Sequence, residues 1–216
     1  MRALIRYVMS DTLHTQRWVA PVLCFGAIDA IVSAQTGSVL PSFAISAAAL
    51  LFIATWLTIV IVNNEDPVQL SITEVCAGSQ SKVRLAKLLV AFVLSTALGI
   101  LGMIGPLLSS SSRASIADLL AGLCAQAIMA LAGVAIGALC SQPLIRRRAW
   151  SVLLGVLIGM GTVLIPHAPP TRQLLVLFNE TGRFSLGPPV LVIGAETLVI
   201  AAFAVGASLK IAQRRS

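Results

Sequence analysis

Residues 41–62 read PSFAISAAALLFIATWLTIVIV, and residues 63–87 read NNEDPVQLSITEVCAGSQSKVRLAK. The first stretch carries no charge over 22 residues. About 20 apolar residues suffice to carry a helix across a hydrocarbon core roughly 30 Å thick. The second stretch changes character at once, with acids, a proline and a glycine, then two lysines and an arginine. An uncharged run that stops at a polar, proline-bearing segment reads as a transmembrane helix ending at a water interface.

The pattern repeats along the chain. Further apolar runs occupy 18–34, 85–108, 116–140, 149–165 and 189–209. With 41–62 they predict six spans in an all-α, polytopic membrane fold, a single transmembrane domain over residues 1–216. Pro41, Pro67, Pro143, Pro166, Pro169, Pro170, Pro188 and Pro189 lie at or between the proposed ends, where proline costs a helix least. Composition agrees. Of 216 residues, 57% are hydrophobic and 11% charged, against about 25% charged in soluble domains. No stretch is left for a separate soluble domain.

Orientation follows from the cations, which are retained on the cytoplasmic side of short loops. With the N-terminus inside, the inner segments hold Arg2, Arg6, Arg17, Lys82, Arg84, Lys87, Arg146, Arg147, Arg148, Lys210, Arg214 and Arg215. The outer segments hold only Arg113, Arg172 and Arg183. This predicts a multi-pass protein of the plasma (inner) membrane with both termini cytoplasmic. The net charge of +7 is then topological, and nucleic acid is not needed to explain it.

The segments between spans have their own patterns. In residues 1–17, Leu4, Ile5, Val8, Met9 and Leu13 fall on one helical face, and Arg2, Arg6, Ser10, His14 and Arg17 on the other. An interfacial helix is expected there, with Arg2, Arg6 and Arg17 against acidic lipid headgroups. In the inner segment 64–84, Glu65 and Asp66 precede Pro67, which is a helix-start arrangement. Val68, Ile72, Val75 and Cys76 then form an apolar stripe that Gly78 ends. A short helix along the membrane surface with Glu74 exposed is predicted, either docking a cytosolic partner or closing a helical hairpin. In the outer segment 166–188, the apolar centre Leu174 to Phe178 is too short to span, so a re-entrant or interfacial helix is expected.

Much chemistry is missing. There is no GxxxxGK[ST] phosphate loop, so ATP-driven work would need another subunit. His14 and His167 are predicted at opposite membrane faces, and Cys24, Cys76, Cys124 and Cys140 show no CxxC spacing, so neither a metal site nor a catalytic set is expected. Two carboxylates do lie inside apolar runs. Asp29 is predicted about 16 Å into the membrane and Glu196 about 10 Å in from the outer side. Each reads equally as part of a substrate path or proton site, or as a neutral acid bonded to a neighbouring helix. Small residues recur at every fourth position in Ala91-Ser95-Gly99, Gly133-Gly137 and Ser151-Gly155-Gly159, which predicts close helix packing and offers a dimer seam.

Taken together, the amphipathic leader ending at Arg17, the six spans and the segment from Glu65-Asp66 through Glu74, Gly78-Ser79 and Lys87-Leu88-Leu89 resemble the ABC-2 type permeases, membrane subunits of one class of ABC transporter. Where that family usually has glycine-threonine before its first glutamate, this chain has Ser71-Ile72-Thr73 before Glu74. The resemblance implies that Glu65, Asp66, Val68, Ile72, Glu74, Val75, Gly78 and Ser79 meet an ATP-binding ABC subunit. It also implies that a second permease chain, identical or related, completes the path. ATP and Mg would sit on the ATPase subunit, with no cofactor in this chain and no catalysis by it alone. The expected cargo is a hydrophobic or amphipathic compound, moved outward. The competing readings are a proton- or cation-coupled secondary transporter or channel using Asp29 and Glu196, and a non-transporting assembly subunit. An intramembrane enzyme ranks last.

Overall fold

The structure, a computed structural model, describes residues 1–34, 39–109, 115–141, 148–164, 171–180 and 188–215, and every regular element among them is helical. In chain order these are α1 (Arg2–His14), α2 (Val19–Ser33), α3 (Val39–Val62), α4 (Pro67–Ala77), α5 (Gln80–Gly102), α6 (Ile104–Ser109), α7 (Ile116–Cys140), α8 (Arg148–Leu164), α9 (Thr171–Glu180) and α10 (Pro188–Arg215).

Their ends have local causes. The α1–α2 turn passes through Gln16 at φ 53, a left-handed conformation in a non-glycine residue. Helix α4 begins with Pro67 in its first turn and ends at Gly78, whose φ of 67 is the left-handed helix stop that glycine adopts without cost. At the head of α7, Ser115 and Asp118 form a reciprocal capping box. Between α5 and α6 the helix is interrupted at Met103, whose N–H donates to the Ile100 carbonyl at 3.2 Å. Proline at 106 explains the break, because it has no N–H to return to the carbonyl of Gly102.

Four helices are long and apolar enough to cross a membrane, by length and composition: Val39–Val62, Gln80–Ser109 counted through its interruption, Ile116–Cys140 and Val192–Lys210. Six had been expected. The other two predicted spans do form apolar helices, but α2 has 15 residues and α8 has 17, so about 22 and 26 Å against a core of roughly 30 Å. The segment 166–188, expected on the outer side, is described only as α9 and the first residue of α10. Ten residues of α9 span about 15 Å and do not cross. Leu174 of α9 is buried in the core, and Arg172 donates to the Leu164 carbonyl at 3.1 Å, closing the end of α8.

The centre of the bundle is α3 packed on α7. Glycines make this possible. A Cβ on Gly133 would lie 2.6 Å from the Leu51 carbonyl oxygen, and one on Gly137 2.6 Å from Thr58 Cβ. Thr55 uses the closeness, with its hydroxyl 2.8 Å from the Leu51 carbonyl in its own helix and 3.2 Å from the Gly133 carbonyl across the gap. Gly155 and Gly159 seat α8 on the same helix, against Thr55, Ile59 and Phe52. Ala91 and Ser95 are buried and Gly99 faces Leu50 and Gln126. The small-residue stripes are therefore consumed inside this chain, and the expectation of a dimer seam on one of them is corrected.

Among the described residues the two larger apolar clusters account for most of the core. One joins Phe43, Leu51, Met103, Met129 and Leu174, and the other joins Val8, Leu57, Ile61, Leu88 and Val134. The second explains α1. Its Val8 face docks on α5 and joins that cluster rather than facing lipid alone, while Leu13, expected on that face, is exposed. Around the perimeter the apolar side chains turn outward, among them Leu23 and Ile31 of α2, Leu153, Leu157 and Leu164 of α8, and Leu198 and Phe203 of α10. An apolar surface of this extent suits a hydrocarbon surrounding.

Candidate functional site

The residues predicted to meet a partner subunit gather at the end of the bundle where α3 stops, α4 lies and α5 starts. Three backbone decisions shape the junction: α3 ends at Val62, Asp66 takes the N-cap position of α4, and Ser79 takes that of α5. Neither cap side chain closes a hydrogen bond. The junction is held instead by charge. Lys87 Nζ lies 3.0 Å from Glu65 Oε2, with the two side chains only 4% and 2% exposed. The ammonium also donates to the Val62 carbonyl at 3.4 Å, at the C-terminal end of α3 where a cation is favoured. The other carboxylate oxygen, Glu65 Oε1, has no hydrogen-bond partner among the described residues.

One turn earlier on α5, Arg84 is buried and donates to the Ala138 carbonyl at 3.1 Å and to Ser141 Oγ at 3.4 Å, capping the last turn of α7. Two successive cations of α5 thus hold the ends of α3 and α7. The leader joins the same lattice. Asn64 donates to Asp11 Oδ2 at 2.7 Å and Gln69 to Tyr7 Oη at 2.9 Å, tying α1 to the turn before α4 and to α4 itself.

Outward from this anchored base, α4 presents Val68, Ile72 and Val75 at 69%, 60% and 81% exposure. The spacing of three to four residues puts them on one helical face. Asp66 and Gly78 are exposed at its two ends, Ser79 is half-buried and Glu74 is half-buried rather than fully exposed as expected. Glu65 differs most from its predicted place, since its carboxylate faces Lys87 and not the surface. Beside the stripe a groove of about 660 Å³ runs between α1 and α4, lined by Leu4, Tyr7, Gln69, Ile72, Cys76 and Lys82 among others. Arg2 and Arg6 are exposed on α1, and Arg17 is exposed at the mouth of a cleft of about 300 Å³ with Trp56, Ile59, Val60, Asn63, Ala149 and Val152.

The two predicted intramembrane acids are not brought into one cluster. Asp29 is on α2, which packs on α3, α5 and α6, whereas Glu196 is on α10, which packs chiefly on α7 and α5. Glu196 Oε2 is buried without a hydrogen-bond partner among the described residues. Asp29 accepts from Ser46 Oγ at 3.1 Å, and Ser46 Oγ in turn accepts from Gln126 Nε2 at 3.4 Å. Among the described residues no group of three or more His, Cys, Asp or Glu could hold a metal ion.

Sequence reading missed the inward direction of Arg84 and Lys87 and the whole of Ser46 and Gln126. A glutamine inside the apolar run 116–140 was the available signal for the last. Comparison with protein-family models, with curated proteins and with solved structures finds no match to this chain.

Proposed function

We propose that the chain is the permease subunit of an ABC transporter of the ABC-2 type, exporting a hydrophobic or amphipathic compound across the plasma membrane with ATP and Mg bound on a separate ATPase subunit. The observation that carries the reading is the exposed Val68-Ile72-Val75 face of α4, set on a base where Glu65 and Lys87 are paired and buried. A surface helix that carries force needs both an open face and a stiff footing. The face would meet the ATPase, with Asp66, Glu74 and Gly78 at its margins. The footing would pass its displacement to α3, α5 and α7 through Lys87 and Arg84.

In this reading α2 and α8 complete six spans, local thinning of the bilayer accommodating their shortness. Both termini are cytoplasmic, and Arg2, Arg6 and Arg17 lie at the inner headgroups. A second permease chain supplies the other wall of the path. Ile72→Asp or Glu74→Arg, with the fold retained, is expected to abolish copurification of the ATPase subunit or to uncouple its hydrolysis from substrate. The check is pull-down and ATPase assay of the reconstituted complex. Full coupling in both variants would remove α4 from the docking role, and transport by the chain alone under a pH or sodium gradient would favour a secondary transporter instead.

A further inference from the structure

We propose that Asp29, Ser33, Ser46 and Gln126 form a binding site for one sodium ion, built against the interrupted helix α5–α6. Four observations converge on the same spot. First, the oxygens come from three helices: the Asp29 carboxylate and the Ser33 hydroxyl from α2, the Ser46 hydroxyl from α3 and the Gln126 amide from α7. Three of these side chains are already joined, Gln126 Nε2 donating to Ser46 Oγ at 3.4 Å and Ser46 Oγ to Asp29 Oδ1 at 3.1 Å.

Second, the cluster has unused acceptors. Gln126 is 0% exposed, and among the described residues its Oε1 has no hydrogen-bond partner, nor does the buried Ser33 Oγ. A buried amide oxygen without a donor is costly, and a cation is one group that resolves it.

Third, the cluster rests on backbone that has been cleared for it. A Cβ on Gly99 would come 3.1 Å from Gln126 Oε1, and one on Gly102 3.2 Å from Ser46 Oγ. On Gly105 it would collide with Ser33 Oγ and come 3.0 Å from Asp29 Oδ2. The polar side chains therefore line up along Gly99, Gly102 and Gly105, across the break at Met103. There Pro106 leaves the Gly102 carbonyl without its usual helical donor. Interrupted membrane helices with oxygen ligands packed against the break are a recurring way to hold an alkali cation.

Fourth, the charge count limits the occupant to a monovalent cation. Asp29 is the single carboxylate of the cluster, so one unit of positive charge neutralises it, while a divalent ion would leave a net charge in an apolar surrounding. Hydroxyl, carboxylate and amide oxygens suit a hard cation. A proton would neutralise Asp29 yet leave Gln126 Oε1 as it is, which favours an alkali cation over a proton, and sodium is the one tested. The ion would pin α2, α3 and α7 to α5–α6, a role that does not depend on the ATPase reading.

The test is thermal unfolding of the purified full chain in detergent, in sodium chloride and in choline chloride at matched ionic strength and fixed pH. Sodium is expected to raise the midpoint by several degrees in a saturable way. Asp29→Asn is expected to abolish the shift while folding in choline, and Ser33→Ala and Gln126→Leu are each expected to weaken the apparent sodium affinity about tenfold or more, the loss of roughly one ligand contact. Radioactive sodium bound to the immobilised chain should follow the same order. An unshifted wild-type midpoint, a full sodium shift in Asp29→Asn, or a shift reproduced in choline merely by lowering the pH would each overturn the proposal, the last by making the occupant a proton.

Discussion

Lys87→Met is expected to lower the stability of the detergent-solubilised chain by about 3–5 kcal/mol, because it leaves Glu65 as a buried charge with no partner. Unfolding by titrated denaturing detergent, followed by helix circular dichroism, measures the loss. The sign of the second substitution is the sharper part. Adding Glu65→Met to Lys87→Met removes the stranded charge, so the double variant is expected to return to the parent's stability or to exceed it. A single variant as stable as the parent would mean that water reaches the pair and that the junction is not stiff. The double variant also separates footing from folding. If α4 works by displacing α5 through this ion pair, the stable double variant should still bind a partner on α4 while transmitting less of its movement.

Gly133→Val is the second large effect. Its side chain would be driven into the Leu51 carbonyl and Ala54, backbone and Cβ atoms that cannot rotate away. Overpacking typically costs about 1–3 kcal/mol, and here the obstacle is main chain, so the upper end or beyond is expected. The separation of α3 from α7 would also break the hydrogen bond from Thr55 to the Gly133 carbonyl, worth about 0.6 kcal/mol on average between membrane helices. Gly194→Val serves as the control. At Gly194 the nearest obstruction to a Cβ is Ile128 Cδ1 at 3.8 Å, an ordinary contact with the movable end of a side chain. Equal losses at the two positions would argue that helix propensity and not packing governs both.

The places of the helices were legible because a bilayer forces a crude code on sequence. Backbone groups in hydrocarbon must be bonded within the helix, so uncharged runs such as 41–62 and proline-bearing breaks such as 63–67 map almost directly onto α3 and its end. Gly78 was readable for an equally local reason, its left-handed φ. Direction within a helix was not readable. Lys87 and Arg84 count as surface cations in any tally of loop charge, yet they point inward, since the end of α3 and the end of α7 offer carbonyls that a cation can satisfy. Glu65 was placed at a partner-facing surface for the same reason, and its actual companion lies 22 positions away on α5. The cluster of Asp29, Ser46 and Gln126 joins residues separated by 17 and 80 positions, pairings that no local pattern encodes. The exposed stripe on α4 falls between these cases. Its spacing was visible, and its freedom from cover depended on the rest of the chain.

The bonds that tie α1 to the turn before α4 also bear on how the protein is made. Asp11 waits for Asn64, 53 residues later, and Tyr7 for Gln69, 62 residues later. When α1 leaves the ribosome its partners do not yet exist, and neither does the α5 surface that buries Val8. Through the synthesis of α2 and α3 the leader must therefore shelter its apolar face elsewhere, and the bilayer surface is the nearest apolar phase available. Its arginines would then act as a temporary mooring that holds the segment close until the turn at Asn64 arrives to receive it, so that α1 is fastened only after α2 and α3 have been made.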